Sequence, residues 1–387
     1  MKSFDYYQPT RIHFGCGRVG EVGQVVSQCG KRCLLVTVPP FDAMRPVFEK
    51  VKASLEAAGV AVAHFDGVIP NPTTDSVTAG ARMAKKHKAD VVLGVGGGSS
   101  MDTAKAIAVE TTHKGTAWDY LYFKTQPTPK MLPVVAVTTT SGTGSQVTHA
   151  AVVTNPAERC KSAILNSLLH PRAAIVDPEL MLTVPARITA ATGFDVFTHA
   201  FESFLHPAAS PYTDLLALEA LRLVAEHLPV VVQDGADLAS RTAMAWADTA
   251  AGLAIANAGV TLPHGVGMAI SGMYPHVAHG EALALIYPAF TRYTCGTAVE
   301  RFAIAGRILD PEAADASDEA AAETCCRAID DLLKRIGLWA GLKDADVPED
   351  ELPDLTQASM VLPDYKNNPR VATPEEMQRL LEESYER

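Results

Sequence analysis

The chain has 387 residues, 48% of them hydrophobic and 20% charged, with a net charge of −11 from 33 basic and 44 acidic side chains. That balance describes an ordinary globular protein with room for two or three domains, and it argues against nonspecific attraction to nucleic acid or an anionic membrane. Seven scattered cysteines with no CxxC pair, no signal-peptide core and no apolar run of about twenty residues argue against a disulfide framework, a zinc ribbon or a membrane span, and lead us to expect a reducing, cytoplasmic setting.

The first half alternates short apolar runs with helical stretches. Arg32 to Val38 predicts a strand that ends at Pro39-Pro40, and Pro46 to Ala58 predicts a helix that stops at Gly59. Val60 to Phe65 reads as the next strand and Ser76 to His87 as the next helix. Asp90 to Val95 is a buried strand feeding a run of glycines, and Leu132 to Val137 is another. This alternation implies a Rossmann-like α/β domain with a parallel sheet covered by helices on both faces.

From about Leu182 onward strand-like runs become rare. Thr213 to Leu228, Ala239 to Ala258 and Ala320 to Ile336 carry apolar stripes at helical spacing. The chain therefore divides into an α/β domain, 1–182, and an all-helical domain, 183–387. The alanine- and acid-rich piece Pro311 to Ala322 reads as a solvated loop or helix start.

Two glycine-rich stretches follow strands. Gly96-Gly97-Gly98-Ser99 opens a helix, where bare backbone N–H groups and the helix N-terminus suit a pyrophosphate. It is not GxGxxG; a plain tight turn is the bland reading. Ser141-Gly142-Thr143-Gly144-Ser145 follows Thr138-Thr139-Thr140, whose hydroxyls suit phosphate or ribose. Two such loops after neighbouring strands favour a dinucleotide at the carboxyl edge of the sheet. In the helical half, Asp195 and His199 share one helix face by their spacing of four. His264 and His279 each precede a glycine. One carboxylate and three imidazoles suit Fe²⁺ or Zn²⁺ rather than an all-oxygen magnesium or calcium site. An i,i+4 hydrogen-bonded pair is the bland alternative for Asp195 and His199, and His276 competes with His279 for the last position.

The stretch from Ile175-Val176-Asp177-Pro178 through Gly193-Phe194-Asp195 to His199 resembles the signature of the iron-containing (group III) alcohol dehydrogenases. Further matches in the family's order are Pro70-Asn71-Pro72-Thr73, Gly94 to Lys105, Thr138 to Ser145, and Asn368-Pro369-Arg370 followed by Thr373-Pro374-Glu375-Glu376. The resemblance implies a metal-dependent, NAD(P)-linked alcohol dehydrogenase or aldehyde reductase acting on a small molecule, with iron as the first metal and zinc as the alternative. It implies Asp195, His199, His264 and His279 as metal ligands. It places Asn71, Gly97, Gly98, Ser99, Asp102, Thr139, Thr140, Thr143 and Lys161 at the dinucleotide, with Asp102 facing the cofactor, and it implies a homo-oligomer.

Three departures stand out against that resemblance. Val38 occupies the position where many relatives carry an Asp for the adenosine ribose, which leaves NAD against NADP undecided. Met268 stands where many carry a proton-carrying His, and the interval from His264 to the final ligand is about one residue longer than usual. A glycerol-dehydrogenase-like polyol oxidoreductase and a noncatalytic metal- or nucleotide-binding protein are the alternative readings.

Overall fold

The computed structural model describes residues 3–387. The chain falls into two compact units: Tyr7–Val184, and Pro185–Arg387 together with the segment that ends at Tyr6.

The first unit contains β1 (Arg11–Phe14), α1 (Val22–Ser27), β2 (Arg32–Val36), α2 (Arg45–Ala57), β3 (Ala61–Phe65), α3 (Thr74–His87), β4 (Val91–Gly96), α4 (Gly98–Thr112), β5 (Val134–Thr138), β6 (Ala150–Asn155), β7 (Cys160–Leu165) and β8 (Ala173–Val176). Six strands form a sheet in the order β1-β8-β5-β4-β2-β3, with every pairing parallel. Alternate side chains of β2 serve opposite faces. Cys33 and Leu35 join a core with Val51 and Leu55 of α2, while Leu34 and Val36 join one with Val77 of α3 and Ile107 of α4. Burial on both faces is why these strands read as continuous apolar runs. The strand read as Arg32 to Val38 ends at Val36, with Val38 half-buried two residues beyond it.

Four strands were not anticipated. β1 and β8 are four residues each, too short to rise above the background of apolar residues. β6 and β7 form a separate antiparallel hairpin, with Ala150 opposite Leu165.

The second unit holds α5 (Ala186–Leu205), α6 (Pro211–Gln233), α7 (Leu238–Asn257), α8 (Leu262–Met273), α9 (His279–Cys295), α10 (Val299–Leu309), α11 (Asp318–Arg335), α12 (Leu352–Ser359) and α13 (Pro374–Glu383). Its central helix is α5, which is buried almost all round from Thr189 to Leu205. A helix enclosed on every side has no amphipathic stripe, which is expected of a core helix. The aromatic rings of Phe194, Phe197, Phe201 and Tyr287 pack together there, with centroid separations of 5.3–6.4 Å between Tyr287 and the three phenylalanines. Pro311–Ala313 is a short 3₁₀ turn ahead of α11. Among the described residues no single helix is long and apolar enough to cross a membrane.

Candidate functional site

The helical unit brings three imidazoles to one carboxylate oxygen. Asp195 Oδ1 lies 3.7 Å from His199 Nε2, 3.7 Å from His264 Nε2 and 3.9 Å from His279 Nε2. Donors on a tetrahedral ion with bonds of about 2.1 Å stand about 3.4 Å apart, close to the separations of Asp195 Oδ1 from the three ring nitrogens. Asp195, His199 and His264 are buried, and their donor atoms all lie within 4.8 Å of one another. His279 is the most open of the four, with 23% of its side chain exposed. His276 is exposed and bonds through Nε2 to Ala345 O at 3.0 Å.

Local sequence explains the convergence. Asp195 and His199 are one turn apart on α5. His264 sits in the first turn of α8, whose N-cap is Thr261. His279 opens α9, and its neighbour Gly280 meets α5 directly: a Cβ on Gly280 would lie 1.9 Å from Ala191 O. Only glycine allows that approach, and it brings the start of α9 against α5 one turn before Asp195.

The electrostatics favour a cation. Burial alone would raise the Asp195 carboxyl, but His199, His264 and His279 outweigh it and hold the group well below the usual carboxylate range. Burial alone would lower His264, yet the carboxylates of Glu202 and Asp195 push it up to about 10. His264 Nε2 is buried with no hydrogen-bond partner. A divalent ion fits this set: it would occupy the orphaned nitrogen and satisfy the carboxylate together.

Glu202 was not assigned a role in advance. It is fully buried; Oε1 accepts from His264 Nδ1 at 2.8 Å, and Oε2 accepts from Thr261 N at 2.8 Å and Thr261 Oγ1 at 3.3 Å. The signal was present in its spacing, since Asp195, His199 and Glu202 run i, i+4, i+7 along α5. Asp364 lies beside Gly265, and burial pushes its carboxyl up to about 6, helped by Glu202 and opposed by His264.

In the α/β unit the two glycine-rich loops follow adjacent strands β4 and β5 and pack on each other. Thr139 N donates to Gly96 O at 3.0 Å. A Cβ on Gly97 would lie 3.0 Å from Thr140 Oγ1, and one on Gly98 would lie 2.4 Å from Thr143 Cγ2. Ser99 follows in the first turn of α4, where its carbonyl accepts from Thr103 Oγ1. The glycines thus serve loop-on-loop packing, a task not foreseen beside that of leaving N–H groups bare.

Asp102 and Lys105 differ from what an exposed helical pair would be. Lys105 is fully buried, and its ammonium donates to Ser145 O (2.7 Å), Ser145 Oγ (2.9 Å), Ala150 O (2.8 Å) and Thr148 O (3.0 Å). Burial lowers it to about 8, against the pull of Asp102. Asp102, expected to face the cofactor, commits one oxygen to Ser145 Oγ at 2.6 Å and the other to Val152 N at 3.1 Å. Both residues clamp the exit of the second glycine loop onto α4. Asn71 takes a left-handed backbone (φ 51°) between its two prolines, and its Oδ1 accepts from Lys161 Nζ at 2.9 Å. These two are therefore brought together beside the β6–β7 hairpin.

A parallel α/β unit with paired glycine loops and a helical unit with a buried Asp-His cluster define a two-part, metal-dependent oxidoreductase architecture. Comparison with known proteins agrees. Residues 9–178 match the family model for iron-containing alcohol dehydrogenases, and residues 189–385 match the model of that family's C-terminal part. The chain is 34% identical over 377 residues to the NAD-dependent methanol dehydrogenase of Bacillus methanolicus, covering 97% of this chain and 98% of the relative. It is 34% identical over 386 residues to the 1,3-propanediol dehydrogenase of Klebsiella pneumoniae, covering 99% of each. Among solved structures, an archaeal halo-thermophilic alcohol dehydrogenase from a Red Sea brine pool, bound to NZQ, superposes with a TM-score of 0.94 at 33% identity over 99% of this chain and 100% of the other. The chain belongs to the iron-containing alcohol dehydrogenase family and is an enzyme of that oxidoreductase type.

Proposed function

We propose that this enzyme interconverts a small alcohol and its aldehyde, using NAD(H) or NADP(H) and a divalent metal, iron before zinc, held by Asp195, His199, His264 and His279. The observation that carries the reading is the convergence of three imidazole nitrogens within 3.9 Å of Asp195 Oδ1. Charge supports a divalent ion: with the imidazoles neutral, Asp195 and Glu202 contribute two buried negative charges, which such an ion cancels. When bound, the metal supplies Lewis acidity toward the alcohol or carbonyl oxygen, and the dinucleotide supplies hydride exchange at its nicotinamide.

The remaining work falls to the chain. The loops at Gly97–Ser99 and Thr139–Thr143 present backbone N–H groups and hydroxyls for the pyrophosphate and ribose. Lys161 and Asn71 form a polar pair for the same cofactor, and Asp102 acts through Ser145 by holding the second loop. Met268, buried one turn after His264 on α8, supplies a polarizable thioether where a proton carrier would otherwise stand, which favours simple alcohols over heavily hydroxylated ones. All seven cysteines are free, in keeping with a cytoplasmic setting; the expected homo-oligomer is checked by light scattering.

The test is an anaerobic panel of alcohols and aldehydes with both cofactors, Fe²⁺ and Zn²⁺ being added in turn, beside metal analysis of His264→Ala. Removing one of four ligands leaves a weak site, so metal content and turnover fall together while the fold persists. Stoichiometric metal and full turnover in His264→Ala would overturn the assignment.

A further inference from the structure

Glu202 lies at the junction of α5 and α8, outside the set of four ligands, and it has no exposed surface. A carboxylate only accepts hydrogen bonds, so the 2.8 Å contact from His264 Nδ1 to Glu202 Oε1 puts a proton on Nδ1. In a neutral imidazole that leaves Nε2 bare. Nε2 is the atom that faces Asp195 at 3.7 Å and that has no hydrogen-bond partner. The other oxygen of Glu202 takes the backbone N–H and the hydroxyl of Thr261, the N-cap of α8. One side chain thus holds both the ring and the start of the helix that carries it.

We propose that Glu202 is a positioning residue of the metal centre, setting the tautomer and the orientation of His264 and fixing the first turn of α8 against α5. The proposal rests on the metal-ligand reading given above. Asp195 and His199 come from the same face of α5, so that helix supplies two ligands directly and orients a third through Glu202. The carboxylate also makes the His264 ring a stronger donor, as carboxylates behind metal-bound histidines do elsewhere.

A carboxylate that merely satisfied the buried N–H of Thr261 would matter for folding but not for the metal. The full-length protein is therefore compared with Glu202→Gln, Glu202→Ala and His264→Ala in three measurements: chelator competition for Zn²⁺, the visible spectrum of the Co²⁺-substituted protein, and thermal melting without metal. Glutamine keeps one acceptor for His264 Nδ1 but turns an NH₂ toward Thr261 N–H, so it falls between wild type and alanine. We expect affinity for Zn²⁺ to drop about 10- to 100-fold in Glu202→Ala, less in Glu202→Gln, with the cobalt spectrum altered in both. Wild-type affinity with an unaltered spectrum in the folded variants would overturn the role of Glu202, provided His264→Ala loses metal. If His264→Ala also keeps full affinity, the ligand assignment itself has failed. Should Glu202→Ala not fold, the nearly isosteric Glu202→Gln decides by the same two readouts.

Discussion

Replacing Gly98 with Ala separates two explanations for a glycine at the head of α4. One is that a bound pyrophosphate needs the backbone bare; the other is that the second glycine loop already occupies the space. The added Cβ would stand 2.4 Å from Thr143 Cγ2, 2.7 Å from Thr143 Oγ1 and 3.0 Å from Thr143 Cβ. Thr143 is poorly placed to yield, because Ser145 N donates to its Oγ1 at 3.2 Å and Ser145 is itself held by Asp102 and Lys105. Overpacking of this kind costs about 1–3 kcal/mol. If binding requires the loops in their native register, that is roughly a 5- to 150-fold loss in dinucleotide affinity. Thr143→Ala alone removes the two nearest atoms and one hydrogen-bond acceptor, a loss of about 1 kcal/mol. In the double variant the clash is largely relieved, with only a Cβ–Cβ contact left to relax. Dinucleotide titration by calorimetry on all four proteins then gives the coupling energy, which we expect to be about 1–2 kcal/mol in favour of the double variant. Strictly additive losses would refute loop packing as the reason and return Gly98 to the ligand.

The other predictions test separate parts of the molecule. Gly280→Ala drives a methyl group into Ala191 O; it should lower the melting temperature and reduce bound metal by displacing His279, as checked by calorimetry and metal analysis, while dinucleotide affinity is retained. Val38→Asp adds a carboxylate beyond β2, where it would accept from ribose hydroxyls and repel a 2′-phosphate; about 1–3 kcal/mol corresponds to roughly a 5- to 150-fold shift of the kcat/KM ratio toward NAD, and an unaltered ratio would place the adenosine elsewhere. Burial first, then His149 and Lys105, push His170 down to about 4. Its folded value lies below its unfolded value of 6.5, so the unfolded chain takes up the proton first on acidification. The stability contribution is complete above pH 6.5 and declines toward pH 4; urea midpoints should fall across that window less steeply in His170→Asn than in the wild type.

Much of the architecture was legible because it rests on local chemistry. Strands buried on both faces stand out as apolar runs, and helices with one solvated face show their period, which is why α2, α3, α6, α7 and α11 lie within a few residues of where the spacing put them. Two of the four candidate ligands were visible for a similar reason, since Asp195 and His199 need only a helix to share a face; His264 and His279 stood out by their His-Gly steps and the family resemblance. What the chain could not disclose alone depends on residues far apart in sequence. Lys105 and Asp102 look like a solvated helical pair until β6 and the second loop close over them and convert Lys105 into a fully buried clamp and Asp102 into a half-buried one. Glu202 shares a helix with two ligand candidates, yet its task exists only once α8 brings Thr261 and His264 to it across some sixty residues. Gly280, whose missing side chain lets α9 touch the backbone of α5, leaves His279 Nε2 3.9 Å from Asp195 Oδ1, while His276 is exposed and bonded to Ala345 O. Periodicity reports which face of an element is apolar; which partner fills that face, and which polar group is thereby sealed from water, is settled only when the elements pack.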